Sequence, residues 1–251
     1  MKTPATLFPF SDADLEATVS DGIAVIHIRR NAFEVVTDLS ESAHLFDLLE
    51  NARSDPRIFA VLLSNAPGAF SGEAYRDFLE RADAAFHGED KRENLRKRQI
   101  NILNHFIQTA IAYPKLIVAV LQGEVVTPFM GAALACDMCL GGPDLTFFLA
   151  HVAHGRHPSG ALPYFLPKYI GVPRARHLLF TGGRIPAREA LEMGLLADIL
   201  AEPDLLAAAT DAIRKLGGER RDMIRRTKRL MGIFWEDIQK YFEVENGLMI
   251  R

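Results

Sequence analysis

Three histidines recur at every third position ahead of a proline, at His151, His154 and His157. An unperturbed imidazole titrates at about pH 6.5, so His151 or His154 could serve as a general acid or base. A zinc site is the alternative chemistry for this spacing, but no Cys, Asp or Glu lies at ligand spacing nearby. We therefore expect no metal, and we weigh a catalytic His151 or His154 against histidines that are structural or on the surface.

Other catalytic motifs are missing from the sequence. It has no glycine-rich dinucleotide or phosphate loop, and Ser159 lies in His-Pro-Ser-Gly rather than in a nucleophile elbow. Cys136 and Cys139 have C-x-x-C spacing without a second pair, which is more typical of buried packing than of redox chemistry. So few cysteines argue against a disulfide scaffold and favour a reducing, cytoplasmic location.

The composition is that of an ordinary globular protein. The chain has 251 residues, of which 49% are hydrophobic and 24% are charged, so it can bury a large core. A formal net charge of -3 gives no reason to expect nucleic acid as a partner. No apolar run approaches the length that spans a bilayer, so we expect no membrane partner either.

Apolar runs and amphipathic segments alternate along the first two thirds of the chain. The runs that predict strands are Ile23–Ile28, Phe59–Ser64 and Leu116–Gln122, with a further apolar stretch from Leu145. The segments that predict helices are Leu39–Ala52, Ala74–Phe86 and Asn94–Tyr113. This alternation predicts an α/β fold with parallel strands.

The last third of the chain changes character. Its predicted helices are Val172–Phe180, Pro186–Met193, Asp204–Leu216, Asp222–Met231 and Trp235–Glu245. We therefore predict an α/β core over residues 1–170 and a C-terminal helical region over residues 171–251.

Five short segments, taken in order, resemble elements of one known family. They are Arg30-Asn31-Ala32-Phe33, Ala69-Phe70-Ser71-Gly72-Glu73-Ala74, the strand 115–123, the helix end 133–137, and Leu179–Gly182 followed by 190–195. They resemble, in the same order, elements of the enoyl-CoA hydratase/isomerase (crotonase) superfamily: Asn-Ala-Leu, Ala-Phe-Ser-Ala-Gly-Ala, Lys-Pro-Val-Ile-Ala-Ala-Val-Asn-Gly, Ala-Leu-Ala-Cys-Asp, and Leu-Thr-Gly followed by Ala-x-x-x-Gly-Leu-Val. The resemblance implies a crotonase-like spiral of ββα units, with a C-terminal helical region that forms a homotrimer or hexamer.

The resemblance also implies an oxyanion hole, in which two backbone N–H groups bind the thioester oxygen as it becomes an enolate. The alignment places the first donor at Ala74, at the start of a helix whose dipole favours an anion. Where the family carries a run of glycines, this chain has Thr127-Pro128-Phe129, and Pro128 has no N–H. Either Phe129 or Thr127 donates after a one-residue shift, or the hole has one donor.

The acid and base positions depart from the hydratase pattern. The two hydratase glutamates align with Gly131 and His151, which disfavours hydration by a pair of glutamates. Glu73 replaces a family glycine beside Ala74, and we weigh a catalytic role there equally against a solvated charge, because a carboxylate would repel an enolate unless protonated. We interpret Glu124 as a solvated loop charge.

For the substrate, the resemblance implies an acyl group carried on coenzyme A or on the phosphopantetheine of an acyl carrier protein, with no tightly bound cofactor. Ala32 falls in the element that contacts the adenine and pantetheine, and Arg29 and Arg30 beside it are placed for phosphate contact. The basic run from Lys91 to Arg98 is typical of a solvated helix face, although it could also meet the phosphates or a carrier protein.

These features predict an acyl-thioester lyase or isomerase that works through an oxyanion-stabilised enolate, by (de)hydration, double-bond isomerisation or decarboxylation. One alternative is a C–C bond hydrolase of a diketone, since Pro158-Ser159-Gly160 resembles the oxocamphor hydrolase branch. That branch's histidine and aspartate would fall at Arg156 and Phe165, however. Among the lyases of the family, the dehydratase of polyketide β-branching also has a glycine at the position of Gly131. The last alternative is a non-catalytic binding subunit with the same fold.

Overall fold

The computed structural model describes residues 7–84, 101–200, 204–217 and 220–249. Within these ranges the chain forms a seven-stranded sheet and a three-stranded sheet. The strands are β1 (Phe10–Ser11), β2 (Leu15–Ser20), β3 (Ile23–Ile28), β4 (Ala60–Asn65), β5 (Leu116–Leu121), β6 (Glu124–Val126), β7 (Met138–Gly141), β8 (Thr146–Phe148), β9 (Arg184–Pro186) and β10 (Asp198–Ile199).

The helices lie between and after these strands. In chain order they are α1 (Ala32–Thr37), α2 (Leu39–Ser54), α3 (Gly72–Ala84), α4 (residues 101–111), α5 (Thr127–Leu134), α6 (Ala150–Ala153), α7 (Leu162–Ile170), α8 (Val172–Thr181), α9 (Ala187–Glu192), α10 (Leu205–Leu216), α11 (Arg221–Met231) and α12 (Ile238–Met249). A 3-10 helix at Gly232–Trp235 joins the last two.

The larger sheet has the order β1-β2-β3-β4-β5-β7-β10, and the strands from β3 onward run parallel. β4 and β5 are buried at every residue, because helices cover both faces. The face that carries Ile26 and Val61 packs in the main core, whereas Leu62 packs against α10 on the other side. Because parallel strands end at the same edge, the helices that follow β3 and β4 begin there together.

The smaller sheet lies beyond that edge. β6 runs parallel to β8, with Glu124 opposite Thr146, and β8 runs antiparallel to β9, with Phe148 opposite Arg184. β6 leads directly into α5, so this sheet sets the direction in which α5 begins.

The structure confirms the α/β architecture and revises several boundaries. Strand Ile23–Ile28 is observed as predicted. α1 was not predicted, since its six residues are too few for a clear helical period. α12 begins at Ile238 instead of Trp235, because the preceding residues form a 3-10 turn. β9 and β10 lie after residue 170, in the predicted helical region. β9 pairs with β8 of the smaller sheet and β10 with β7 of the larger sheet, so both sheets continue past residue 170.

The C-terminal helices expose large apolar side chains. Leu230 is 78% exposed, Ile233 63% and Phe234 60%. Across the parts of the chain that the structure describes, no helix is both long and apolar enough to cross a bilayer.

Candidate active site

The first turn of α3 carries the predicted oxyanion donor, and side-chain oxygens accept from two of its amides. The N–H of Gly72 donates to Glu124 Oε1 at 2.6 Å. Ser71 precedes the helix, and its Oγ accepts from the N–H of Ala74 at 3.2 Å, which is the usual cap from an N-terminal serine. Ala74 N–H is therefore engaged, although by a hydrogen bond at the long end of the normal range.

The first turn of α5 is different. Val126 precedes this helix and has no polar side-chain atom that could accept from it. Pro128 is the second helical residue and has no N–H to offer. Phe129 is the third, and an amide at that position has no carbonyl four residues earlier within the helix. Phe129 is therefore better placed to donate than the aligned position, Pro128.

The starts of α3 and α5 are tied together. The N–H of Val126 donates to the carbonyl of Phe70 at 3.0 Å. The rings of Phe70 and Phe129 stack with centroids 3.9 Å apart and planes 10° apart. Phe33, from α1, packs edge-on against Phe129 at 4.7 Å. The two helix starts that were predicted to share a site are thus neighbours.

Glu124 is not the solvated loop charge that we expected. Its side chain is only 25% exposed, since it caps Gly72 at the start of α3 and forms an ion pair with Arg184. The prediction was wrong because both partners are remote in sequence, and only the fold brings them to β6.

A glutamate could not occupy the position of Gly131 in this backbone. A Cβ atom built there would overlap the carbonyl oxygen of Gly160 and lie 3.0 Å from the amide of Leu162. Gly131 therefore marks a close approach between α5 and the turn before α7, and the space is filled by backbone.

His151 is buried, and both of its ring nitrogens are hydrogen bonded. Nε2 lies 2.9 Å from the carbonyl oxygen of Leu179, and Nδ1 lies 2.9 Å from Thr127 Oγ1. A carbonyl only accepts, so Nε2 carries the proton and Nδ1 accepts from the threonine hydroxyl. Burial lowers the pKa of His151, which keeps this neutral form. The arrangement favours a structural bridge between α5, α6 and α8 over a proton-transfer role.

His154 follows α6 directly as its C-cap residue and is partly exposed. Its ring packs edge-on against Tyr75, with centroids 5.4 Å apart, and Tyr75 stacks in turn on Phe33 at 5.3 Å. Burial raises the pKa of Tyr75, while the nearby positive charge of Arg156 opposes that rise. Of the two histidines predicted to be catalytic, His154 is the one whose ring contacts α3.

Glu73 points away from this arrangement. Its side chain is 80% exposed, and its nearest cation is Arg76, at 3.9 Å along the helix. This geometry favours the interpretation of Glu73 as a solvated helix charge.

The residues predicted to bind the substrate's nucleotide lie at the end of β3. Arg29 pairs with Glu16 and donates to Asp12 O at 3.2 Å, and Arg30 contacts Asp14 Oδ1 at 3.2 Å. Ala32 is buried as the first residue of α1. A phosphate at this place would compete with carboxylates already bound to both arginines.

A small apolar cavity of about 40 Å³ lies beneath the aromatic pair. Phe70 and Phe129 form part of its wall, together with aliphatic residues of the main core. Within the described ranges, no group of three or more His, Cys, Asp or Glu side chains is placed to hold a metal ion. The basic run from Lys91 to Arg98 lies outside the described residues.

Comparisons with known proteins agree with the resemblance seen in the sequence. Residues 18–248 match the family model described as enoyl-CoA hydratase/isomerase. A protein of Thermus thermophilus named "Putative enoyl-CoA hydratase" is 30% identical over 81% of this chain and 76% of its own. "4-chlorobenzoyl coenzyme A dehalogenase-2" of an Arthrobacter species is 24% identical over 82% of this chain and 73% of its own.

A solved structure with the same fold is an enoyl-CoA hydratase from Bacillus halodurans. It superposes with a TM-score of 0.75 and 20% identity, covering 95% of this chain and 92% of that one. At this identity the likeness shows the fold alone.

Proposed function

Because the chain belongs to the enoyl-CoA hydratase/isomerase (crotonase) family and is an enzyme of that family, we propose that it is an acyl-thioester lyase or isomerase that stabilises an enolate where α3 and α5 begin. The observation that carries this proposal is the junction of the two helix starts, made by the bond from Val126 to Phe70 and by the stacked pair Phe70 and Phe129. Two helix starts side by side present amides and positive dipole ends to one place.

The donors in this proposal are the amides of Phe129 and Ala74. Phe129 replaces the amide that Pro128 lacks. Ala74 exchanges its long bond to Ser71 Oγ for the substrate oxygen when the thioester binds. Donors fixed before the reaction lower the barrier because they need no reorganisation as the charge develops.

Proton transfer in this proposal falls to His154. Gly131 excludes a side chain, and His151 has both nitrogens engaged, so the two hydratase glutamate positions supply no base. His154 is partly exposed and packs on Tyr75, next to the proposed donor Ala74. The proposed reactions are (de)hydration, double-bond isomerisation or decarboxylation.

The proposed substrate carries coenzyme A or the phosphopantetheine of an acyl carrier protein, which leaves with the product and is not a resident cofactor. Arg29 and Arg30 are the proposed phosphate contacts. Binding there would replace the carboxylates of Glu16 and Asp14 on the two guanidinium groups.

A panel of thioesters tests the proposal. Enoyl-, 3-hydroxyacyl- and malonyl-type CoA thioesters are incubated with the protein, and products are followed by mass spectrometry. We expect turnover of at least one class, and we expect His154→Gln to lower kcat by about 100-fold or more. His157→Gln, at an exposed histidine of the same segment, is the matched control and should leave kcat within about twofold.

The proposal fails if no class of thioester is turned over, or if His154→Gln and His157→Gln behave alike. Retention on an acyl-CoA affinity column is the second measurement. Passage through the column without retention would also count against a thioester substrate and would favour a hydrolase acting on a free diketone.

We also propose that the chain assembles as a homotrimer or hexamer. The exposed apolar side chains of the C-terminal helices support this, since exposed apolar patches commonly mark an interface. Light scattering after size exclusion should give three or six times the mass of 27.9 kDa, and a monomer would contradict the proposal.

A further inference from the structure

One face of the three-stranded sheet supports the start of α3. Glu124 lies on β6, Phe148 on β8 and Arg184 on β9. On β8, Thr146 lies opposite Glu124 of β6, and Phe148 lies opposite Arg184 of β9. Thr146 and Phe148 are two residues apart on the same strand. Residues two apart on a strand point to the same face, so all three side chains share one side of the sheet.

These three side chains form a connected set. Glu124 pairs with Arg184, and the Arg184 guanidinium carbon lies 4.0 Å from the centroid of the Phe148 ring. Glu124 Oε1 accepts from Gly72 N–H at 2.6 Å. A Cβ on Gly72 would lie 2.9 Å from that oxygen and 3.0 Å from the Phe148 ring, so α3 rests directly on the set.

The charges of this set act on the place where the substrate oxygen would bind. A helix start has a partial positive charge that attracts anions. Glu124 puts a carboxylate on Gly72, two residues before the proposed donor Ala74, and so opposes a second negative charge there. Arg184 offsets that carboxylate, and its own place is held by the Phe148 ring.

We propose that Glu124 and Arg184 are a positioning pair that sets the electrostatic potential at the start of α3, and with it the stability of an enolate bound there. This inference rests on the proposed function. Neither residue needs to touch the substrate, because charges a few ångströms apart interact appreciably near a protein surface.

Acetoacetyl-CoA is the probe. It loses its C2 proton to the buffer, and the electron pair that remains is delocalised as an enolate that absorbs in the near ultraviolet. Titration of the bound ligand with pH gives the apparent pKa of its C2 proton. This readout reports charge stabilisation directly and needs no turnover.

The two single variants should move that pKa in opposite directions. In Arg184→Gln the Glu124 carboxylate is no longer offset, so the pKa of the bound ligand should rise by about half a unit to one unit. In Glu124→Gln the Arg184 charge remains alone, so the pKa should fall by a similar amount, while the glutamine oxygen still accepts from Gly72 N–H. The double variant should return close to the wild-type value.

Salt dependence and a matched pair complete the experiment. Both shifts should shrink as ionic strength rises, because the pair is partly exposed. Asp21 and Arg214 form a comparable exposed pair at 2.8 Å, before the start of β3 and so at the opposite end of the parallel strands. Asp21→Asn and Arg214→Gln should leave the ligand pKa unchanged.

The possible failures can be told apart. If the wild-type protein neither binds acetoacetyl-CoA nor promotes its enolate, both the proposed function and this inference fall. If the wild type forms the enolate but the two single variants shift its pKa in the same direction, or not at all, the inference alone is overturned. Melting curves of each variant identify any loss of folding, and if Glu124→Gln does not fold, the expected rise in Arg184→Gln decides the test. Glu124→Asp is a separate control that keeps the charge and should leave the ligand pKa near the wild-type value.

Discussion

Helices α3 and α5 both begin at the same edge of the larger sheet, yet their first turns are satisfied in different ways. At α3 a serine and a glutamate accept from the amides. At α5 the preceding residue is Val126, the second helical residue is a proline, and all eight helical residues are buried. One start is polar and capped, and the other is apolar and uncapped.

The difference indicates how far the amides at each helix start are available to a ligand in the proposed site. Capping removes the cost of an unpaired amide, so α3 gains stability and offers less to a ligand. α5 instead depends on packing between close backbones and aromatic rings, and in the proposed site Phe129 N–H is its donor. Perturbing each start should therefore cost different amounts of stability, with the larger losses at α5.

The largest effect is expected from Gly131→Ala. The added methyl group would overlap the carbonyl of Gly160, and neither backbone can move without displacing α5 or the turn. We expect the free energy of unfolding to fall by about 4 kcal/mol or more, measured by urea denaturation.

Gly247→Ala is the matched control for that substitution. Gly247 lies in α12 with no atom within 4 Å of an added Cβ, so alanine there should be neutral or raise stability by about 0.5 kcal/mol. Equal losses at the two glycines would show that the close approach at α5 is not rigid.

The second effect concerns Glu245, a buried acid of α12 beneath the turn that contacts α5. Its Oε1 accepts from Ala161 N–H at 3.3 Å and from Tyr241 Oη at 3.0 Å. Its Oε2 has no hydrogen-bond partner among the described residues. Burial raises the pKa of Glu245 to about 7.

This raised pKa gives Glu245→Gln a pH-dependent effect. The stability due to Glu245 is complete below its ordinary pKa of 4.5 and is lost as pH rises through about 7, because the unfolded chain releases the proton first. Glutamine stays neutral, so at pH 8 the variant should be more stable than wild type by about 3 kcal/mol, with little difference at pH 4.5. Unfolding curves across this range that run parallel for both proteins would contradict the assignment.

Thr127→Val probes the buried polar contact at the start of α5. Valine keeps the shape of threonine but leaves His151 Nδ1 without its donor. We expect a loss of about 2 kcal/mol in the free energy of unfolding. Thr181→Val removes an exposed hydroxyl at the end of α8 and should cost less than about 0.5 kcal/mol.

The smallest effect is expected at α3, from Ser71→Ala. Loss of the cap on Ala74 should lower the free energy of unfolding by about 1 kcal/mol. Ser54→Ala, at an exposed serine at the other end of a helix, is the control and should change it less. A loss at Ser71 larger than at Gly131 would reverse the comparison between the two helix starts.

Much of the fold could be predicted because local pattern and burial agree there. Leu116–Leu121 is a continuous apolar run that the structure buries at every residue, and Ile23–Ile28 is apolar apart from His27 and mostly buried. α1 escaped prediction because its sequence, AFEVVT, is short and rich in β-branched residues that favour strands. Local sequence also gave no indication of β10, a two-residue strand held by its neighbour β7.

The candidate site could be predicted only in part, because its decisive contacts are long-range. The spacing of the histidines does not indicate that His151 Nε2 is hydrogen bonded to the carbonyl of Leu179, on another helix. Glu124 looked like a surface charge because Gly72 and Arg184 lie far away along the chain. The proline at position 128 was visible in the sequence, but the role of Phe129 in stacking on Phe70 required the fold.

The contact between Gly131 and Gly160 also constrains how this protein could evolve. Neither position can gain a side chain first, since each glycine faces the backbone of the other segment. A side chain could enter α5 at position 131 only after the 157–161 turn had been rebuilt by insertion or deletion. An acidic residue at that position is therefore out of reach of any single substitution.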